Sequence, residues 1–554
     1  MPPPEAPANQ HDSASVGPGL RPGRAEQSSA GPSSRASGTL QGLSLALLIA
    51  ACGAFRFVSL AAKPFWFDEC FSAEVARIDW QNFLHLLWWR EANMSLYYVL
   101  LRVWLHLDLH FGHDQFFLRS LSVVFAMATV PAIYWLATLL YGDGWRNAGA
   151  TKNDDENNGR RIAIIAAALF TFNAYSVRYS QEARSYALFV LLATLSSGFL
   201  IAFLRQPTRR NRFGYILASI LVVYAHFYAL LLLAAHWLVV RWLGVPGARE
   251  DSRAEIRAAL RRAWIVIAVA VLPLLIFIAK TGAGPIRWIP RPGIADLLRF
   301  WVYFTDVSPL VYPAICLAAV LPLGKRFWRR SGSWDVWRCQ FLFVWLLFPI
   351  VLTVVLSFAR PVFLPRYMIF CLPALVILGA AGLNNFRPHA LRAGIVGLIL
   401  LLSARTIPYV YGHDFDDERD AAGAAANFIV DHTQAGDAVV FHIAETRVAY
   451  EFFRSERAGE NSASPGFTKQ LGPEILFPYH GAGLDYHDFT GKPTPEVLRA
   501  AAATHPRLWV MLMYNETAAR ADPTTEMMDR VLPEIFPKMQ RWQFHRVEVR
   551  LYGK

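Results

Sequence analysis

Charge is scarce in this 554-residue chain: Asp, Glu, Lys and Arg make up 17% of it, against 54% hydrophobic residues. Water-soluble proteins average about 25% charged residues because their surfaces must be solvated. The string of soluble domains that the length alone would suggest is therefore excluded. Residues 1–38 have almost no large apolar side chains and are rich in Pro, Gly, Ser and Ala. Such a stretch cannot bury enough surface to offset its ordering entropy, so a disordered tail is expected. It also lacks a signal-peptide layout, since the first apolar stretch begins near Leu40 with no cleavage site behind it. Cysteine is sparse too: Cys52, Cys316, Cys339 and Cys371 fall in or beside apolar stretches, and Cys70 stands alone in a polar loop. A disulfide framework is excluded on that pattern. No repeat of solenoid period is visible.

What is plentiful is apolar and aromatic. The chain holds 18 Trp and 38 Phe, and its mean hydropathy is +0.28, as expected when many rings sit at membrane interfaces. The net charge of +12 comes in short runs between apolar segments, such as Arg205, Arg209, Arg210 and Arg212, or Lys325, Arg326, Arg329 and Arg330. That is the pattern of retained cytoplasmic loops and not of a nucleic-acid surface. Counting from these loops gives eleven crossings, near 39–62, 116–140, 161–177, 183–204, 213–225, 227–243, 262–280, 308–323, 338–358, 364–386 and 390–410. The pair 213–225 and 227–243 falls short of the ~20 residues a full crossing takes, which points to a recessed, wet cavity. The count puts the N-terminus in the cytoplasm and the C-terminus outside. Section 63–115 then begins and ends outside, with 95–111 and 80–92 as amphipathic surface helices. After Tyr411 charges, prolines and loops return. Alternation in 437–444, 507–514 and 544–553, interleaved with helical patterns in 417–433 and 526–536, predicts a small α/β domain. The expected fold is an α-helical polytopic membrane protein of about eleven transmembrane helices with a small C-terminal α/β extramembrane domain. Its parts are a disordered cytoplasmic tail (1–38), a transmembrane domain (39–411) and an external domain (412–554).

Four places carry candidate chemistry. Asp68 and Glu69 follow the aromatic cluster Phe65, Trp66 and Phe67. Adjacent carboxylates at a bilayer surface are costly unless they meet cations, a metal or a substrate. They also suit the first turn of a helix, so a cap and a site stand as equal readings. RYSQEAR (178–184) offers Arg178, Gln181, Glu182 and Arg184, either as a self-satisfied ion-pair network or as a phosphate grip. His226 and Tyr228 lie at the tip between the two short crossings, as cavity lining or as hydrogen-bonded core. Arg360 and Arg366 lie on the external side, where arginines at membrane depth take anionic partners such as a lipid phosphate or headgroups. Arg287, Trp288, Arg291 and Asp306 add polar groups in the loop 281–307 and are not ranked.

The segments WFDECFSAEVAR, ANMSLYYVLLRVW, LRSLSVVFAMATVPAIYWLATLLYG, YSQEARSYAL, HFYALLLL and LPRYMIFCLPAL occur in this order. Over residues 40–410 this resembles the GT-C class of integral-membrane glycosyltransferases. It is similar to the protein O-mannosyltransferases, the aminoarabinose transferases of lipid A and the Rgt-type lipopolysaccharide transferases. The resemblance implies eleven to thirteen membrane helices and a polyprenyl-phosphate-linked sugar as donor. It also implies Asp68 as general base, with Glu69 supporting the acceptor or a metal. The position before the family's Pro-Pro-Leu-Tyr-Tyr stretch is Asn93 here, followed by Met94, Ser95, Leu96, Tyr97 and Tyr98. The lysine that some members use for donor phosphate is absent, which shifts that task to Arg184 or Arg366, with Tyr367 beside the latter.

The expectation is therefore a bacterial inner-membrane glycosyltransferase with a periplasmic site. It would move one sugar to an envelope lipid, glycan or protein, with inversion, either without a metal or with weak assistance from a divalent cation. Its partners would be the polyprenyl-phosphate donor, the acceptor and membrane lipids, and not nucleic acid. The competing expectations are a lipid-linked-sugar flippase, a polysaccharide polymerase or a non-catalytic envelope scaffold.

Overall fold

A computed structural model describes residues 32–107, 115–142, 152–246, 250–282, 289–306, 308–328, 333–413, 419–457, 472–478, 491–513, 516–517 and 520–554. The tail expected to be disordered and the residues Arg287 and Trp288 lie outside, or almost wholly outside, that set. Residues from Ser44 onward form one compact unit.

Each of the eleven apolar stretches is helical. Among the described residues, seven helical stretches are long and apolar enough to cross a membrane: α1 (Pro32–Phe57), α5 (Gln115–Tyr141), α8 (Tyr186–Arg205), α11 (Glu250–Thr281), α14 (Trp334–Ala359), α16 (His389–Gly412), and α15 (Leu372–Asn384) joined to the 3-10 turn Pro365–Cys371. An eighth is broken: α6 (Lys152–Phe172) and α7 (Ala174–Ser180) meet at 59°. The break falls at Asn173, whose side chain accepts from the Ser176 amide at 2.8 Å and so starts a new helix. The remaining three are the short α9 (Arg209–Ala225), α10 (Ala229–Leu243) and α13 (Val311–Val320). As expected, the region 63–107 holds no crossing but three short helices, α2 (Phe67–Arg77), α3 (Trp80–Trp89) and α4 (Ser95–His106). A further short one, α12 (Ile294–Phe304), precedes α13.

Burial sorts these helices. The apolar window of α8 is 83% buried, whereas α11 is 28% buried and turns Ile265, Val269 and Leu272 outward. Apolar side chains on an outer helix face suit hydrocarbon and not water. Between helices there is no hydrophobic drive in lipid, so close packing must hold them. Gly382 of α15 supplies it: a Cβ there would lie 1.7 Å from the Ile315 carbonyl oxygen of α13. Gly198 of α8 does the same beneath the Trp135 ring of α5.

The C-terminal part contains α17 (Ala422–His432), β1 (Ala438–His442), α18 (Thr446–Arg457), β2 (Glu474–Phe477), α19 (Pro495–Thr504), β3 (Arg507–Met513), the two-residue ladder β4 (Glu516–Thr517) and β5 (Arg520–Ala521), α20 (Pro523–Ile535), β6 (Lys538–Phe544) and β7 (Val547–Gly553). The main sheet runs β2-β1-β3-β7-β6, parallel from β2 to β3 and antiparallel after it. The stretch expected as one strand at 544–553 is the hairpin end of β6, a turn with Arg546 at φ 56°, and β7. Successive strand residues face opposite ways. Val440, Leu508, Val510 and Leu512 therefore pack with α19 and α20, while Val439, Phe441, Trp509 and Met511 pack with α17 and α18. That second layer is continuous with the apolar core of the helix bundle.

Candidate active site

The site forms where α2, the α7–α8 junction, the α9–α10 tip and the turn before α15 meet. The chain leaving α1 is tied down by Lys63, whose ammonium donates to the carbonyls of Val410 and His413 at 2.7 Å each, closing the end of α16. Four residues on, α2 opens with Asp68 and Glu69 in its first turn, where carboxylates favour the helix dipole.

Their environments differ. Glu69 is fully buried, and Arg119 of α5 grips it with Nε and Nη2, each at 2.7 Å. The Ala183 amide donates to the same carboxylate at 2.9 Å, and Arg419 lies 3.4 Å away. Burial alone would raise its pKa, but Arg119 and Arg419 outweigh that and hold it below the usual value. Arg119 also donates to the carbonyls of Leu60 and Lys63. Both Glu69 oxygens are taken by protein groups, so Glu69 anchors the loop to α5 and to the YSQEAR turn. An acceptor or a metal supported by Glu69, as the resemblance implies, would compete with these protein groups.

Asp68 keeps 18% of its side chain exposed and faces two guanidinium groups, Arg184 at 3.4 Å and Arg366 at 3.7 Å. A tight charge-assisted hydrogen bond would measure about 2.7–2.9 Å. Both contacts of Asp68 are longer than that. Arg184 is itself steadied: its Nη1 donates to the Asp68 carbonyl (3.2 Å) and the Ser72 hydroxyl (3.3 Å). The Ser122 hydroxyl, bonded to Tyr97 at 3.0 Å, donates to the Arg184 carbonyl. Arg366 stands over the Trp66 ring at 5.3 Å. Arg360, by contrast, is exposed at the end of α14.

The rest of the YSQEAR turn serves the scaffold. Arg178 and Glu182 are a buried ion pair one helical turn apart, with Arg419 3.6 Å from Glu182. Gln181 donates to the carbonyls of Arg56 and Val58 at the end of α1. Arg291 is exposed. Asp306 caps α7 at the Ala174 amide (3.1 Å) and accepts from the Ser403 hydroxyl.

His226 lies over the site from the α9–α10 tip. Its ring stacks on Phe189 (4.9 Å) and meets Tyr367 (4.6 Å) and Tyr228 (5.5 Å). Burial, with the charges of Arg184 and Arg366, pushes its pKa down to about 3, so it is neutral. Nδ1 accepts from the Tyr228 amide at 3.2 Å, which assigns the ring proton to Nε2. Tyr228 donates its hydroxyl to the Val362 carbonyl. Asn93 holds the same tip by accepting from the Phe227 amide at 3.0 Å.

Four groups went unread in the sequence. Glu91, two residues before Asn93, is partly buried; burial, opposed by Arg184 and aided by Asp68, pushes its pKa up to about 7. Its signal was present in the same loop as Asn93. Arg119, Arg419 and Asp420 had none, since each lies far along the chain from its partners. Among the described residues no three His, Cys, Asp or Glu side chains are grouped to hold a metal ion.

Neither a protein-family model nor a curated protein sequence matches the chain. Solved structures do. ArnT from Cupriavidus metallidurans in the apo state superposes with a TM-score of 0.58 at 12% identity, over 94% of this chain and 98% of that one. The same protein bound to undecaprenyl phosphate gives 0.52 at 12% identity, over 91% and 97%. The chain is an integral membrane protein that shares the fold of ArnT.

Proposed function

We propose that the protein transfers a single sugar from a polyprenyl-phosphate donor to an envelope acceptor, with Asp68 as general base. The observation that carries this reading is the Asp68 carboxylate, part-exposed between Arg184 and Arg366. The reaction needs a base for the acceptor hydroxyl and cations for the departing phosphate, and both stand together here. Asp68 takes the hydroxyl proton. The oxygen attacks the anomeric carbon as the bond from that carbon to the phosphate oxygen breaks, and the electron pair leaves on polyprenyl phosphate. Arg184 and Arg366 meet the charge that develops on the leaving oxygen. Backside attack inverts the anomeric configuration. The rings of Trp66, Tyr228 and Tyr367, with neutral His226 offering Nε2–H, suit a sugar.

Arginine in place of the absent lysine at Asn93 fits phosphate well, because its planar fork binds bidentately. A divalent cation assisting the reaction would draw on Asp68 and Glu91, since among the described residues no three His, Cys, Asp or Glu are grouped to hold one; every step above uses the chain's own groups. The fold neighbour's complex with undecaprenyl phosphate supports a lipid-phosphate donor. Orientation follows from charge. The 20 residues of α8 span about 30 Å, which separates Arg184 at one end from the basic run Arg205–Arg212 at the other. The positive-inside tendency supports a periplasmic side of the inner membrane for the site.

Mass spectrometry of envelope lipids, glycans and proteins from a deletion strain tests the reading. One sugar residue should disappear from one acceptor class and return with the wild-type gene but not with Asp68→Asn. An unchanged envelope would favour a flippase, polymerase or scaffold role.

A further inference from the structure

The first turn of α2, which presents Asp68, receives no side-chain cap from its own N-cap residue, Trp66. The first amides of a helix have no partner within it and must find one elsewhere. The partner comes from the far end of the chain. Asp420, 353 residues later, accepts from the Phe67 amide with both carboxylate oxygens, at 3.0 and 3.3 Å. The same carboxylate accepts from the Ala422 amide at 3.1 Å, at the start of α17. That helix also lacks a side-chain cap from its own N-cap residue, Ala421. One buried carboxylate thus begins two helices, one carrying the candidate base and the other belonging to the C-terminal part.

Arg419, next to it, lies 3.4 Å from Glu69 and 3.6 Å from Glu182 and donates to the Pro64 carbonyl at 3.0 Å. It joins the anchor of α2 to the YSQEAR turn that supplies Arg184. At the other end of α2, Phe452 of α18 lies 5.5 Å beneath the Arg77 guanidinium and stacks on Phe65 at 5.1 Å. The C-terminal part therefore grips α2 at both ends.

We infer that Asp420, assisted by Arg419, is a positioning residue that fixes the first turn of α2 and so aims Asp68 at the acceptor. The C-terminal region is then a component of the transfer site and not an appended module. This inference rests on the reading of Asp68 as the base. Acting through the Phe67 amide, Asp420 touches no substrate. Its removal should lower turnover while leaving donor affinity nearly intact. A misplacement of the order of 1 Å in a reacting group costs roughly 100-fold in rate.

The test uses the full-length protein in vesicles with a polyprenyl-phosphate sugar, comparing wild type, Asp420→Ala, Asp420→Asn and Asp68→Asn. Asp420→Ala should lower kcat roughly 10- to 100-fold with KM for the donor within about twofold. Amide hydrogen exchange in 64–70 should quicken while the rest of the chain stays protected. Asp420→Asn keeps an oxygen that can accept from the Phe67 amide and should recover most of kcat. Wild-type kcat in Asp420→Ala, or equal loss in both Asp420 variants, overturns the inference. So does faster exchange throughout the chain, which marks a fold-wide defect. Transfer retained in Asp68→Asn instead defeats the base assignment, while the exchange result still reports whether Asp420 caps α2.

Discussion

Asp68 and Glu69 are adjacent, yet their carboxylates do opposite work. Glu69 is locked at 2.7 Å to Arg119 with no exposure, and Asp68 lies loosely between Arg184 and Arg366 with 18% exposure. Removing one member of a buried pair strands the other charge, at a cost of about 3–5 kcal/mol. Glu69→Gln should therefore lower the thermal midpoint and the abundance of the protein, and Arg119→Met should do the same. Asp68→Asn should leave both near wild type. Thermal unfolding in detergent, followed by size-exclusion recovery, reads the difference.

Arg184 and Arg366 converge on one carboxylate and, by the mechanism above, on one phosphate. Arg366→Met should lower kcat/KM roughly 100-fold, as loss of a single oxyanion donor does. Arg366→Lys should lose less, because the charge stays while the two-pronged fork is lost. The double variant with Arg184→Met should fall short of the product of the single effects, since the two share a ligand. Steady-state kinetics with a fixed acceptor decides this.

Two groups at the site pull stability in opposite directions with pH. Glu91 is shifted from 4.5 to about 7, so across that window the folded chain holds a proton that the unfolded chain has lost. Its stabilisation fades as pH rises through about 7. His226 is shifted from 6.5 to about 3, so the unfolded chain gains the proton first and stability falls as pH drops below 6.5. Thermal midpoints against pH should show a flatter neutral limb in Glu91→Gln and a flatter acid limb in His226→Gln. Unchanged curves would remove the corresponding group from the account.

Much of this architecture was legible because membrane helices announce themselves by length and composition. Every apolar stretch became a helix, and the two short ones meet at a buried His226. Asp68 could be found because an acidic pair beside aromatics at a helix end is physically costly. The roles inside the pair could not, since the choice depends on Arg119, 50 residues away, and on Arg419, 350 away. The same holds for the YSQEAR turn. Its composition could not say that Arg184 reaches the carboxylate while Arg178 and Gln181 turn toward the scaffold. In the C-terminal part the amphipathic α18 went unread, although its Phe452 holds α2. Deleting 412–554 is consequently no clean test between transferase and scaffold, because it also removes Asp420 from the helix that carries Asp68.

The central claim is that Asp68 removes the acceptor proton, and the most direct measurement is single-turnover transfer by purified Asp68→Asn in vesicles loaded with labelled polyprenyl-phosphate sugar. The account predicts donor binding close to wild type and no detectable transfer. Transfer at the wild-type rate with donor bound would contradict it.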